Sequence, residues 1–516
     1  FGTLWLLGYG LDPLAVLVPF LVFAIGVSHG VQQINFVVKG VCAGADSMTA
    51  ARRAFSGLLI PGSMALVTAL VGFATLTLIP IPMIRELGIT ASIGVAYKIV
   101  TNLVMLPVCA SYLRFDDGYV ARMTRLRERR ERAMALLGRV AETRNAAVGT
   151  LVCAALFAIA VVQSQGRHVG HLESGAPELR ADSRYNLDAA SIVRSFDLGL
   201  DVLTVVFETP KDGCYDNAVM AHVDQFAWQM QNVPGVISVA SVAQLAKQAY
   251  SGTNEGHPKW TALAADERSL ANSVGLIPEG TGLFNPGCTV LPVNIYLADH
   301  KASTVKQAIA AVRELRDAER MDGVTLRLAS GNAGVQAATN EVLAATELPM
   351  MLWVYATILA LVFFTYRDWR AMIACCLPLT LATFLGYWFM KELDIGLTVA
   401  TLPVMVLAVG IGVDYAFYIY NRLQLHLAQG VNIVVAFKQA LMETGIATIF
   451  TAITLSVGVA TWSFSDLKFQ ADMGMLLTFM FMVNMVMAIT LLPALAVMID
   501  VLLPRRRPVH APFLVH

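Results

Sequence analysis

Nine stretches of this chain are each long and apolar enough to cross a lipid bilayer, and no other feature restricts its fold so much. They run over residues 13–38, 58–79, 87–112, 146–162, 348–365, 372–390, 397–420, 446–464 and 473–502, and residues 1–11 read as the end of one more. A hydrocarbon core about 30 Å thick takes about 20 helical residues to cross. It holds no water to satisfy a free N–H or C=O, so stretches of this length are helices. Composition agrees: 56% of the 516 residues are hydrophobic and 14% are charged, where soluble domains carry about a quarter. The formal net charge is zero, so no overall field draws the chain to nucleic acid. The chain opens at Phe1 with neither an initiator Met nor a signal peptide, and an N-terminal part is expected to be missing.

Lys and Arg mark the cytoplasmic side. Residues 114–145 hold nine Arg against five acids, and 366–370 and 504–508 are also basic. With alternating helices all three fall on one side, which leaves the polar region 163–347 outside. That region reads as α/β. Residues 201–209 are β-branched like a strand, 216–233 have helical spacing and 235–242 are strand-like; the order recurs at 288–299, 302–318 and 324–331. Two β-α-β units with a Gly- and Pro-rich middle predict two small sandwiched subdomains. No Gly-rich turn follows the first strand, which argues against a dinucleotide fold. Cys214 and Cys288 lie in this region, where a disulfide is permitted. Whether they bridge is open, since it requires Cα atoms within about 7 Å. The other five Cys lie in or beside apolar stretches and behave as small hydrophobes.

The chain also repeats itself. Residues 26–110 align without a gap on 412–496, with 17 identities in 85 pairs. That fraction says little in apolar sequence; which residues match says more. Gly26/Gly412, Gly44/Gly430, Gly72/Gly458, Gly88/Gly474, Pro107/Pro493, Asn35/Asn421 and Thr68/Thr454 pair in register. Gly and Pro record backbone requirements that lipid-facing positions do not share. Both copies enter the membrane in the same direction, as in transporters whose site lies between two parallel halves.

These features together resemble the resistance-nodulation-division superfamily of proton-driven exporters. Within it the chain is most similar to the branch of the mycobacterial large membrane proteins and the hopanoid transporters. The residues that carry the resemblance are "GVSHGVQ" (26–32), "GIGVDYAFY" (410–418), the Gly/Thr pairs at 68–72 and 454–458, and "PELRADSRYN" (177–186). The resemblance implies a polytopic α-helical membrane protein with an inserted periplasmic α/β porter domain of β-α-β sandwich type, and nine to ten helices here of twelve in the whole protein. Residues 1–112 then hold the end of helix three and helices four to six. Residues 113–145 form a basic cytoplasmic linker, 146–162 helix seven and 163–347 the porter-like domain. Residues 348–502 hold helices eight to twelve and 503–516 a basic cytoplasmic tail. It further implies a bacterial inner-membrane location.

Asp414 is the sharpest single residue, because a carboxylate at mid-membrane depth is costly unless paired, protonated or hydrated. An acid that takes up and releases a proton there is what proton coupling requires. In the resembled branch both central helices carry Asp-Tyr, each Asp facing the other helix's Tyr. Carried across by position, Asp414 faces His29 and Tyr415 faces Ser28. An imidazole exchanges protons near neutrality, so an Asp–His pair is expected to hold and release one proton. Lys98 lies too deep to reach water easily and is expected to neutralise Asp414 or bond carbonyls. Thr68 and Thr454, with Ser63, Thr451 and Ser456, are relay candidates, although such hydroxyls commonly bond their own helix. Asn35 and Asn421 follow. Residues 45–57 and 424–443 read as amphipathic segments at the cytoplasmic interface.

The leading function is proton-driven export of a hydrophobic or amphipathic, lipid-like cargo. The alternatives are a Sec-type accessory that uses proton flow to export protein, and a sterol-sensing receptor that transports nothing. No Walker A pattern points to ATP, no His/Cys/carboxylate cluster has metal-ligand spacing, and no nucleophile–base constellation suggests an enzyme. No cofactor is expected beyond the proton gradient. Membrane lipids are the expected partners, and the resemblance leaves room for a homo-oligomer and for a periplasmic or outer-membrane partner.

Overall fold

The computed structural model describes residues 2–10, 12–196, 199–505 and 509. Residues 506–508 and 510–516 of the basic tail lie outside them. Contacts divide the chain into two compact units, Phe1–Arg167 with Val342–His516, and His168–Glu341.

In the first unit, α1 (Val18–Cys42), α2 (Ser47–Leu78) and α3 (Pro82–Ser111) are apolar and of bilayer length. The polar α4 (Asp117–Leu137) leads to α5 (Thr143–Gln163). The second unit contributes α6 (Arg184–Ser195), β1 (Asp201–Glu208), α7 (Asn217–Gln231), β2 (Val236–Ala240), α8 (Val242–Thr253), α9 (Glu267–Gly275), β3 (Val290–Leu297), α10 (Ala302–Ala318) and β4 (Thr325–Ser330). Then come α11 (Asn332–Tyr366), α12 (Trp369–Glu392), α13 (Thr401–Ala428), α14 (Ile433–Phe464) and α15 (Lys468–Leu502). Among the described residues nine helices are long and apolar enough to span a membrane.

The helices overrun the apolar stretches that announce them. α2 starts at Ser47, where Asp46 caps it by accepting the Thr49 N–H at 3.1 Å. Residues 45–57 are therefore not a separate interfacial segment but mostly the first turns of a spanning helix. Residues 424–443 likewise divide between the end of α13 and the start of α14. α11 begins sixteen residues before its apolar stretch, because "NAGVQAATNEVLAATE" is rich in good helix formers although it is polar. Near the end of α5, Arg167 holds Glu347 of α11 through both carboxylate oxygens at 2.7 Å and stacks 4.3 Å from the Tyr387 ring of α12.

The repeat is structural. Gly44 and Gly430 end α1 and α13 with φ +88° and +80°, the left-handed turn that favours glycine. Asn432 caps α14 as Asp46 caps α2, accepting the Val434 N–H at 3.0 Å. A Cβ on Gly88 would lie 2.8 Å from the Phe73 carbonyl, and one on Gly474 would lie 2.8 Å from the Val459 carbonyl. Those two carbonyls are themselves repeat mates, so the same close helix contact is built twice. Gly72 and Gly458 depart from this pattern: nothing lies within 4 Å of either added Cβ.

The second unit corrects the expectation of two sandwiched subdomains. Its strands form one sheet in the order β2-β3-β1-β4, with every neighbouring pair antiparallel. Each β-α-β unit leaves a one-strand gap, and a strand of the other unit fills it. Burial alternates along β1 and β3, so one face is dry. Leu203, Val205 and Phe207 on that face pack with Val223 and Phe226 of α7 and with Val305 and Val312 of α10 in one core. Cys214 and Cys288 form a disulfide, with Cα atoms 5.3 Å apart.

Candidate proton-relay site

α13 is the innermost helix, buried along its whole apolar window. It packs against α2, α12, α14 and α15, so within that window its polar side chains are closed off inside the protein. Asp414 is 1% exposed, and so are Tyr415 and His29. His29, on α1, brings its Nε2 to 3.9 Å from Asp414 Oδ2. This is too long for a hydrogen bond, and both Asp414 Oδ1 and His29 Nε2 lack a hydrogen-bond partner. A proton passing between them needs the gap to shorten by about 1 Å, or a bridging water. If both groups were charged, their attraction at this distance would be about 4 kcal/mol at an effective dielectric near 20. At this spacing a proton gained or lost by either group is felt strongly by the other.

The other ring nitrogen is held. His29 Nδ1 and the Tyr418 hydroxyl are 2.7 Å apart. Tyr418 lies one turn after Asp414 on α13, so acid and hydroxyl share a helix face and flank the same imidazole. When the hydroxyl donates to Nδ1, the imidazole hydrogen lies on Nε2, facing the carboxylate. Tyr418 was not among the residues singled out from sequence. The i, i+4 spacing to Asp414 was the available signal.

The remaining expected residues separate. Tyr415 is buried with its hydroxyl unpartnered, and no hydrogen bond joins it to Ser28, which is also buried. Lys98 makes no ion pair with Asp414 among the described residues; its side chain lies across Gly26, one turn before His29. In the second copy Asn484, the repeat mate of Lys98, lies across Gly412 in the same way and donates to the Ala408 carbonyl at 3.1 Å. Beside Lys98, Asn102 donates to the Gly26 carbonyl at 2.7 Å, from a π-helical stretch over Ile99–Met105. Thr68 is buried but bonds the Met64 carbonyl of its own helix, and Thr454 is half-buried and bonds the Phe450 carbonyl. Neither hydroxyl is turned toward the dyad by a bond. Asn421 Oδ1 and Ser456 Oγ are buried without partners.

Sequence reasoning also passed over Gln32 and Gln33, one turn beyond His29, whose buried amides have no partners at all. Near the end of α1, Glu443 gathers Lys39 at 3.7 Å, Arg422 at 3.6 Å and His426 at 3.5 Å. A cavity of about 850 Å³ runs between α1 and α14 and is walled mainly by aliphatic side chains such as Val31, Ile34, Ile446 and Ile453. Lys39 and Glu443 also line it. Among the described residues no three His, Cys, Asp or Glu side chains gather as metal ligands do.

A helical membrane protein built on a parallel repeat, with an acid and a base meeting between helices of its two copies, fits the resistance-nodulation-division class. More narrowly, the chain belongs to the MMPL family, whose sequence pattern matches residues 201–511. A putative membrane protein of Methanocaldococcus jannaschii is 24% identical over 310 residues, which cover 58% of this chain and 77% of that protein. The crystal structure of SecDF in its super-membrane-facing form aligns over 94% of this chain with a TM-score of 0.50 and 13% identity, a likeness of fold. The chain spans 54% of the SecDF chain's length. Family and fold are those of multi-pass, transporter-type membrane proteins.

Proposed function

We propose that the protein is not an enzyme but a proton-driven transporter of a hydrophobic or amphipathic, lipid-like cargo, with Asp414 and His29 as the proton-carrying pair. The observation that supports this best is the meeting of one carboxylate and one imidazole, each 1% exposed, across α13 and α1 at repeat-related positions. A buried pair with unfilled hydrogen-bonding capacity is costly to keep as structure alone. Each proton taken through the field supplies roughly 2.3 kcal/mol per 100 mV. One acid in the pair sets one proton per cycle. Tyr418 positions the imidazole. Tyr415, Ser28, Thr68 and Lys98 are assigned supporting roles without carrying the proton, and Thr454, bonded to its own helix, has no part. On this reading the membrane is a bacterial inner membrane, the second unit faces the periplasm, and no cofactor takes part beyond the proton gradient.

The test uses the full chain in vesicles with a pH gradient and a fluorescent phospholipid as probe cargo, read as lipid extracted to albumin. Gradient-dependent extraction should vanish in Asp414→Asn, a near-isosteric change. Full retention would refute the relay. The SecDF likeness supports one other reading, a proton-driven accessory of protein export. Gradient-dependent pulling of an unfolded polypeptide, with no lipid extraction, would favour it.

A further inference from the structure

The second unit carries a polar cleft that the relay does not use. It has a volume of about 410 Å³ and lies beside α6 and the start of β1, next to His300 and Gln336. We propose that it binds a protonated amine.

The chain of hydrogen bonds that sets its chemistry starts from the backbone. The N–H groups of Val202 and Ala333 both donate to Asn332 Oδ1, at 2.6 and 2.9 Å. That fixes which end of the Asn332 amide is oxygen. Its Nδ2 then donates to Asp201 Oδ1 at 2.8 Å. The other carboxylate oxygen, Oδ2, lies 3.1 Å from His300 Nδ1. A carboxylate can only accept, so Nδ1 carries the hydrogen, and in the neutral ring the lone pair is at Nε2. His300 is 3% exposed, and this Nε2 has no partner. Gln336 Oε1 is also buried and without a partner. With the ring neutral and the Gln336 amide oxygen turned inward, two unfilled acceptors line one cleft, and a ligand that fills them must bring donors.

Charge narrows the ligand further. The lining carries the carboxylates of Glu178, Asp201 and Asp299 against the guanidinium of Arg194. Lys301 pairs with Asp299 at 3.5 Å, and the balance stays negative. An anion is repelled, a neutral hydroxyl gains only hydrogen bonds, and an ammonium gains hydrogen bonds and charge together. The rim is built in advance. Asn186 of α6 is 5% exposed, accepts the Ala176 N–H at 2.7 Å and donates to the Arg180 carbonyl at 2.9 Å. It thereby pins the loop that holds Glu178, within the "PELRADSRYN" stretch for which the membrane site has no use.

The inference does not depend on the relay, and its test needs no transport. The full chain in phosphatidylcholine nanodiscs is titrated with ethanolamine, ethylene glycol and glycolate, which differ mainly in one terminal group. Binding is read by saturation-transfer NMR against empty discs. Ethanolamine should bind at least tenfold more tightly than ethylene glycol, and glycolate should not bind. Gln336→Glu should strengthen ethanolamine about tenfold and Gln336→Leu should weaken it about tenfold. Both variants leave the Asn332–Asp201–His300 chain intact, so neither outcome reduces to misfolding. Equal binding of amine and diol, indifference to both Gln336 variants, or no binding at all would overturn the proposal. So would zinc that displaces ethanolamine one for one, which would make this a metal site instead.

Discussion

Tyr418→Phe isolates one atom of the candidate relay. It deletes the hydroxyl 2.7 Å from His29 Nδ1 and keeps the ring that packs beside the imidazole. His29 Nε2 already lacks a hydrogen-bond partner, so the variant leaves both ring nitrogens buried and unbonded. Losing a buried partner costs about 1–3 kcal/mol, a factor of roughly 5–150 in any equilibrium that depends on the bond. The hydroxyl can donate to Nδ1 or accept from it, so the native tautomer depends on which of these it does; the variant removes both options and should shift the tautomer ratio. Nitrogen-15 NMR of the histidine-labelled chain in nanodiscs reads the tautomer directly. Gradient-driven lipid extraction should fall by roughly one to two decades if the imidazole hydrogen must face Asp414. An unchanged tautomer ratio in the variant would refute the positioning role of Tyr418. A changed ratio with unchanged extraction would show that His29 does not carry the proton.

Other outcomes follow from the same coordinates. Gly474→Ala puts a methyl group 2.8 Å from the Val459 carbonyl and 2.7 Å from Trp462 Cβ. It should lower stability in detergent by about 1–3 kcal/mol, while Gly458→Ala, with open space around it, should be neutral or slightly stabilising; thermal unfolding separates the two. The Cys214–Cys288 bond closes a 74-residue span, for which chain entropy gives roughly 4–5 kcal/mol as an upper expectation. Replacing both by Ala should therefore lower the second unit's urea midpoint without moving the membrane helices. Asp266 caps α9, and its bonds with Ser269, chiefly to the backbone N–H, hold its carboxyl below the usual carboxylate range. Such a group contributes stability above its unfolded value and loses it as pH falls through the folded one. Protection of the α9 amides, taken relative to their intrinsic exchange rates, should therefore fall selectively on acidification, and it should be low at all pH in Asp266→Ala.

Much of this architecture was legible because membranes impose a strong rule on sequence. Length and apolarity located the nine spans, and glycines in register disclosed the duplication. Boundaries were less legible, because hydropathy ends where lipid ends whereas a helix such as α11 continues as long as its residues favour it. The sheet was misjudged for a different reason. Strand and helix order are local, but the interleaving of two β-α-β units depends on partners about ninety residues apart, such as Val205 and Val293. At the site, the pairing of Asp414 with His29 was what the resemblance implied, carried across by position. The place of Lys98 could not be read, because the contact it makes is with a glycine backbone, which leaves no charge pattern. Tyr418 was hidden among the neighbouring aromatics of α13. Gln32 and Gln33 gave no signal, since an amide in a helix is unremarkable until its surroundings prove dry.

The dyad has a consequence for how the molecule comes into being. Acid and base sit on different halves of a duplicated ancestor, so neither half owns a working pair. On the proposed relay, a half inserted alone would offer protons no way through. Only assembly would complete the circuit, so an unfinished molecule could not drain the gradient that the finished one is proposed to spend.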